Sequence, residues 1–335
     1  MEYIYLAGAC LCFSVQFIFN KLFSSRSNGT FNAGMWCALA TALCMLVYLL
    51  PMGGFALDIS VSALICSILY TASSLLCSGM TILAMKCGKL SVITTYTLLG
   101  GLILPFIWGL IAYKEPFTAT KGIGIVILLL SMVSGMLWDK LFAKNAPAAE
   151  TGASAPGAST PDTSAVKSAG TSLRFHLYCM VLFLTNGIVS IATTQSQKAA
   201  DAVSSDAFLI LCKIETALAA VVIMLIIGIL NQRKGDENGI RHAFTGIVRN
   251  PPMTAKIFGI LLGSCALYAI ANGLGNIFSL NCAKTMDASI QFPVISAVVI
   301  VLGAVFGLIF FHEKIEKRDA AGLILAALGI VFFII

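Results

Sequence analysis

The chain has 335 residues, of which 59% are hydrophobic and 11% charged, with a net charge of +6 and a mean hydropathy of +0.94. Soluble proteins average about 25% charged residues, so this chain lacks the polar surface to cover a water-exposed globule. A lipid bilayer is its expected surrounding, and nucleic acid is not an expected partner.

A spanning helix needs roughly 20 apolar residues, and runs of that length recur along nearly the whole chain. The first, at 3–23, follows Met1 and Glu2 without a basic region or a small-residue cleavage site, so it reads as a retained span. It carries Gln16 and Asn20, four apart and therefore on one helical face. The second and third runs lie at 32–51 and 60–85, and the third bears Tyr70, Ser74 and Ser78 on one face. The fourth, at 91–112, offers Tyr96 as an aromatic wall and Pro105 as a candidate hinge, and a fifth follows at 118–138. The segment 144–171 is rich in Ala, Ser, Gly, Pro and Thr, a composition that cannot bury a core and reads as a flexible linker.

Beyond it the sixth span, at 174–196, carries Asn186, and the seventh, at 206–231, carries Lys213 and Glu215. A basic connection from Asn231 to Pro252 leads to the eighth span, at 256–282, with Tyr268, Asn272 and Asn276 on one face. The ninth, at 289–311, contains Gln291 and Pro293, and the tenth occupies 318–335. The expected fold is an all-α integral membrane protein of about ten transmembrane helices. Residues 1–140 form a first five-helix repeat, 141–173 a linker, and 174–335 a second repeat.

Laying 62–137 on 260–335 needs no gap, because a single offset serves throughout. It pairs Tyr70 with Tyr268, Lys86 with Lys284, Ser91 with Ser289, Gly109 with Gly307, Glu115 with Glu313 and Gly124 with Gly322. Polar and glycine matches are scarce enough in this composition to carry weight. A five-span repeat crosses the membrane an odd number of times, so its second copy enters upside down, the inverted plan of secondary transporters.

The stretches Gly109 to Gly124 and Gly307 to Gly322 each run from Gly through a short apolar segment to a loop Glu and then a Gly-bearing helix. With the small-residue and proline approach of Ser289 to Pro293, they resemble the drug/metabolite transporter superfamily in its EamA-like ten-helix branch. The resemblance implies a secondary carrier for small metabolites, with the site among helices one to four and six to nine. It leaves the fifth and tenth helices peripheral, where a homodimer could form.

Polar residues inside a span usually face the bundle interior or a water-filled cavity. The matching stripes Tyr70, Ser74, Ser78 and Tyr268, Asn272, Asn276 are therefore candidate substrate contacts, or else interhelical hydrogen bonds. Gln16, Asn20, Tyr96, Asn186 and Gln291 are further candidates of the same kind. Lys213 either snorkels to the interface or holds an anionic group, and Glu215 could serve a cation or a proton. Two residues apart, the two point to nearly opposite faces and are not expected to pair. Glu115 and Glu313 sit in short loops ahead of helices, where a carboxylate caps free N–H groups.

The cysteines are scattered singly, and His176, His242 and His312 form no ligand set, so no disulfide framework, metal or cofactor is expected. His312-Glu313 lacks the second His of a zinc protease motif, and neither a Walker loop nor a GxSxG elbow occurs. An enzyme is not expected. The expected function is alternating-access transport of a small polar or zwitterionic substrate, with proton-coupled export as one form. The alternative is a flippase, or flippase subunit, for a lipid-linked substrate.

Basic residues concentrate in odd-numbered connections: Lys21 and Arg26; Lys86 and Lys89; Lys140, Lys144, Lys167 and Arg174; Arg233, Lys234, Arg241, Arg249 and Lys256; Lys314, Lys317 and Arg318. Even connections hold Lys114, Lys121, Lys198 and Lys284. In a cell membrane the positive-inside rule places odd connections in the cytoplasm and both termini outside. The family resemblance implies cytoplasmic termini.

Overall fold

The computed structural model describes residues 2–28, 30–53, 58–87, 90–142, 173–247 and 255–311, together with Gly322, Ile324, Leu325, Leu328, Gly329, Val331 and Phe332. The linker segment 143–172, His312 and Glu313 lie outside the described residues. The helices are α1 (Glu2–Arg26), α2 (Phe31–Met52), α3 (Val61–Cys87), α4 (Leu90–Ala112), α5 (Ala119–Phe142), α6 (Leu173–Lys198), α7 (Ser205–Arg233), α8 (Gly239–Thr245), α9 (Ala255–Ala283) and α10 (Ala288–Phe311). The described residues between Gly322 and Phe332 are also helical. No strand occurs among the described residues, as expected where every backbone group must bond within its own segment.

Six helical stretches are long and apolar enough to cross a membrane, within α1, α2, α3, α6, α7 and α9. The apolar stretches of α4, α5 and α10 are shorter: Tyr96–Ala112, Ala119–Ser131 and Ala288–Leu302. Nine sequence-expected spans match these helices to within about four residues at either end. The exception to the expected pattern is α8, a single short helix inside the basic connection read as loop.

Polar contacts sort the connections to two ends. At one end Asn28, after α1, donates its backbone N–H to Ile247 O (2.9 Å) and its amide to Gly246 O beyond α8, while Asn32 Nδ2 donates to Ala243 O within α8 at 3.0 Å. At the other end Ser62, in the first turn of α3, donates to the Asp201 carboxylate that follows α6. The α4–α5 connection meets the ends of α6 and α10 there as well. Successive long helices therefore alternate in direction through these connections.

Helix packing is concentrated in a few pairs: α1 on α9, α3 on α6, α4 on α6, α2 on α7, α4 on α10, α1 on α10, α2 on α9 and α3 on α7. Ser131 Oγ on α5 donates to Gly322 O at 2.7 Å, so the tenth segment lies against the fifth helix. Close approach of α4 and α6 depends on glycine. A Cβ on Gly100 would lie 1.9 Å from the Phe183 carbonyl oxygen, and one on Gly187 would lie 2.8 Å from the Gly100 carbonyl oxygen. Small residues allow this backbone contact between membrane helices, where apolar driving force is weak.

Two thiols meet at the α2–α9 contact, with Cys37 and Cys265 Sγ atoms 3.8 Å apart. That proximity predicts efficient crosslinking by copper phenanthroline. A protease site placed within 150–165 would cut the chain between the two cysteines. On a non-reducing gel the fragments should stay joined, and Cys37→Ser should release them. Fragments that separate despite oxidation would contradict the α2–α9 contact.

Candidate functional site

A polar seam lies between α3 and α7. Ser67, Tyr70 and Thr71 fall on one face of α3 because positions three and four apart share a face. Thr71 Oγ1 donates to Cys212 O at 3.1 Å, and Thr216 Oγ1 donates to the same carbonyl at 2.6 Å. Lys213 Nζ donates to Tyr70 Oη at 3.4 Å and lies 5.1 Å from the centre of the Tyr70 ring. Lys213 is 5% exposed and Tyr70 4%, so this lysine does not snorkel, and of its two sequence readings that one is corrected. The Tyr70 ring in turn packs edge-on against Phe208, with ring centres 6.3 Å apart.

Glu215 turns to the other flank of the seam. Ser67 Oγ donates to its Oε1 at 2.7 Å, while its Oε2 is buried without a partner. Among the described residues Lys213 and Glu215 form no ion pair, as their spacing along the helix implies.

A second polar set joins α9 to α1. Asn272 Nδ2 donates to Gln16 Oε1 at 2.7 Å, and Asn276 Nδ2 donates to Asn272 O at 2.7 Å and Oδ1 at 3.1 Å. Tyr268 and Asn20 are half-buried nearby in sequence on the same two helices. Ser74 and Ser78 are half-buried on α3, with Ser78 Oγ donating back to Ser74 O at 2.9 Å. The remaining candidates serve other seams. Asn186 Nδ2 donates to Thr97 O at 2.8 Å, tying α6 to α4. Gln291 Nε2 donates to Ser279 O at 2.8 Å and Ser279 Oγ at 2.9 Å, tying α10 to α9, with Gln291 Oε1 buried and unpartnered. Tyr96 is half-buried against a small cluster with Phe175, Cys179 and Leu182. The two stripes thus contact different partners, α7 for Tyr70 and α1 for Asn272.

The polar cluster that sequence reasoning missed is built around Glu115. Gly109 O accepts from both Tyr113 N and Glu115 N at 3.2 Å, and Lys114 turns the chain at φ 52°. The Glu115 carboxylate then accepts from Ala288 N and Ser289 N at 2.9 Å and from Lys198 Nζ at 3.0 Å. A capping role was expected, but for the helix that follows it. Instead Glu115 caps α10, and Thr118 Oγ1 caps α5 by accepting from Lys121 N at 3.3 Å. Lys121 Nζ reaches Ser289 Oγ at 3.1 Å and Asp287 at 3.4 Å, and Tyr113 Oη donates to Gln195 Oε1 at 2.7 Å. Burial works against ionising Glu115, but the bonds from Ser289, Lys198 and Ala288 outweigh it and hold the carboxyl below its ordinary value. The matched Glu115 and Glu313 were one signal for this cluster; its basic members, Lys121 and Lys198, gave none.

No group of three or more His, Cys, Asp or Glu that could hold a metal occurs among the described residues. Among the described residues the protein is all-helical, with long apolar helices that bury polar side chains, consistent with a multi-pass membrane protein. No family model matches the chain, and no curated protein matches it. A solved structure described as "Crystal structure of protein" is similar at a TM-score of 0.64 and 11% sequence identity, over 99% of this chain and 95% of that one. At that identity the likeness establishes a shared fold and nothing about activity.

Proposed function

We propose that the chain is a secondary transporter of the drug/metabolite type, moving a small polar or zwitterionic solute by alternating access between two inverted five-helix repeats. The observation that carries this reading is how the helix packing responds to exchanging the halves. Swapping α1 with α6, α2 with α7, α3 with α9 and α4 with α10 turns the α1–α9 contact into α3–α6 and α1–α10 into α4–α6. It turns α2–α9 into α3–α7, and it leaves α2–α7 and α4–α10 unchanged. Two equivalent halves give two end states of similar energy, which a carrier needs and an enzyme or scaffold does not. The basic bias of the end that holds the α1–α2 and α7–α9 connections favours that end as cytoplasmic and both termini outside.

The reading is tested by a thermal-shift screen against amino acids, nucleotide sugars, quaternary amines and sugar phosphates, followed by uptake of the hits into vesicles. The Asn272→Leu and Asn276→Leu variants, which remove the amide chain to Gln16, should lower uptake at least tenfold with the protein still folded. Uptake that survives both changes intact would remove the α1–α9 amides from the site.

One observation favours the flippase alternative. An open apolar groove of about 260 Å³ runs between α1 and α9, lined by Leu11, Cys12, Val15, Phe19, Leu267, Ile270 and Ala271. An acyl or prenyl chain would fit its chemistry. Translocation of a fluorescent lipid across vesicle leaflets, without uptake of any free solute, would select that reading.

A further inference from the structure

Among the described residues the buried side chain of Lys213 has no carboxylate partner. Ser67 and Tyr70 lie a turn apart on α3, so α7 straddles them with Glu215 on one flank and Lys213 on the other. Among the described residues no carboxylate pairs with Lys213, and a single phenol oxygen at 3.4 Å accepts from its three available protons. An unpaired charge removed from water is among the most costly features a protein can hold. An anion arriving from outside would supply the missing partner. The Tyr70 ring lies 5.1 Å from the lysine nitrogen and forms the one aromatic wall beside it among the described residues.

We infer that Lys213 is the anchor for an anionic group of the transported solute, a carboxylate or a phosphate, with Tyr70 as the second donor once its hydroxyl is freed from the lysine. The inference rests on the carrier reading above for its notion of transport, but not for binding. Lys213 is covered in this closed packing, so the anion enters when α7 parts from its neighbours.

The test uses the purified full-length protein with succinate, inorganic phosphate, a short-chain phosphatidate, alanine and choline as probes. Succinate or phosphate should raise the thermal midpoint of the unsubstituted protein. Lys213→Met should weaken that response at least tenfold, and Lys213→Arg should restore part of it. Lys213→Met removes a buried charge and should itself fold well. Response to phosphatidate alone would assign the anion to a lipid headgroup rather than a free solute. Stabilisation by choline or alanine that is equal in the unsubstituted protein and Lys213→Met, with no response to the anions, would overturn the assignment. Vesicle uptake separates the two readings. A cation carried equally by both proteins defeats the anion anchor and leaves the carrier standing. Anions bound through Lys213 but never carried do the reverse.

Discussion

Gly100→Val is expected to yield little folded protein, Gly187→Leu to behave alike, and Gly263→Ala to match the unsubstituted chain. The three positions differ in what a side chain would meet. At Gly100 the first added carbon would lie 1.9 Å from the carbonyl oxygen and 2.6 Å from the carbonyl carbon of Phe183, which are backbone atoms of α6 and cannot rotate away. At Gly187 it would lie 2.2 Å from a Leu104 methyl and 2.8 Å from the Gly100 carbonyl oxygen. Relief requires α4 and α6 to separate. That would also lengthen the Asn186 bond to Thr97 O, now 2.8 Å, and unpack a seam that is among the most extensive in the bundle. Overpacking ordinarily costs about 1–3 kcal/mol, and a collision of two backbones belongs at or above the upper end. Gly263 on α9 has nothing within 4 Å of its added carbon, so alanine there removes a helix-weakening residue without collision. Monodisperse yield in detergent, read by fluorescence size exclusion, measures all three. Wild-type yield of Gly100→Val would mean that α4 and α6 do not approach as described.

The long helices were readable because a bilayer asks for one thing, about 20 apolar residues in a row, and composition answers it directly. Short helix α8 was not readable: seven residues with Arg241 and His242 among them carry no apolar period, and packing against α7 decides their form. Glycine contacts were equally hidden. With 29 glycines in the chain, nothing local marks Gly100 and Gly187 as the pair that touches. The cost of Lys213 was visible in the sequence, but its depth was not, because hydropathy does not say whether a long side chain bends to the interface or stays in the core. The sequence draws the stripe through Tyr70 toward Ser74 and Ser78, while the residues that join Tyr70 at the α7 seam are Ser67 and Thr71. Glu115 shows the same limit. Its residue type and loop position announce a cap, yet the helix it caps begins 173 residues later, at Ala288.

Glu115→Gln should lower stability by about 3 kcal/mol or more, the loss expected when one partner of a buried ion pair is removed. The carboxylate is the acceptor for three donors, with the Ala288 and Ser289 N–H groups on different oxygens and Lys198 sharing one of them. A glutamine amide keeps one acceptor oxygen. Whichever way it turns, its NH2 group faces one of the two backbone N–H groups, so a donor meets a donor at the start of α10. Lys198 is more exposed, at 20% for its side chain against 3% for Glu115. Lys198→Met leaves both capping bonds intact and should cost less, about 2 kcal/mol. The double variant should cost less than the two losses added, because the changes share a partner. Gly109→Ala reaches the same cluster from the other side, since its added carbon would lie 2.5 Å from Glu115 Oε2. The sign of the pH dependence follows from the depressed carboxyl. Its contribution is fully present above the ordinary glutamate value of 4.5 and is lost as the pH falls through the lower value of the folded state. Thermal midpoints of the unsubstituted protein should therefore keep their advantage over Glu115→Gln from neutral pH down to the ordinary glutamate value of 4.5 and lose it below that, the two curves converging at the acid end. Parallel curves would mean that the carboxylate does not hold α10 against the α4–α5 connection. Because those donors all belong to the second half of the chain and Glu115 to the first, convergence would also locate one of the contacts that any relative movement of the halves has to break.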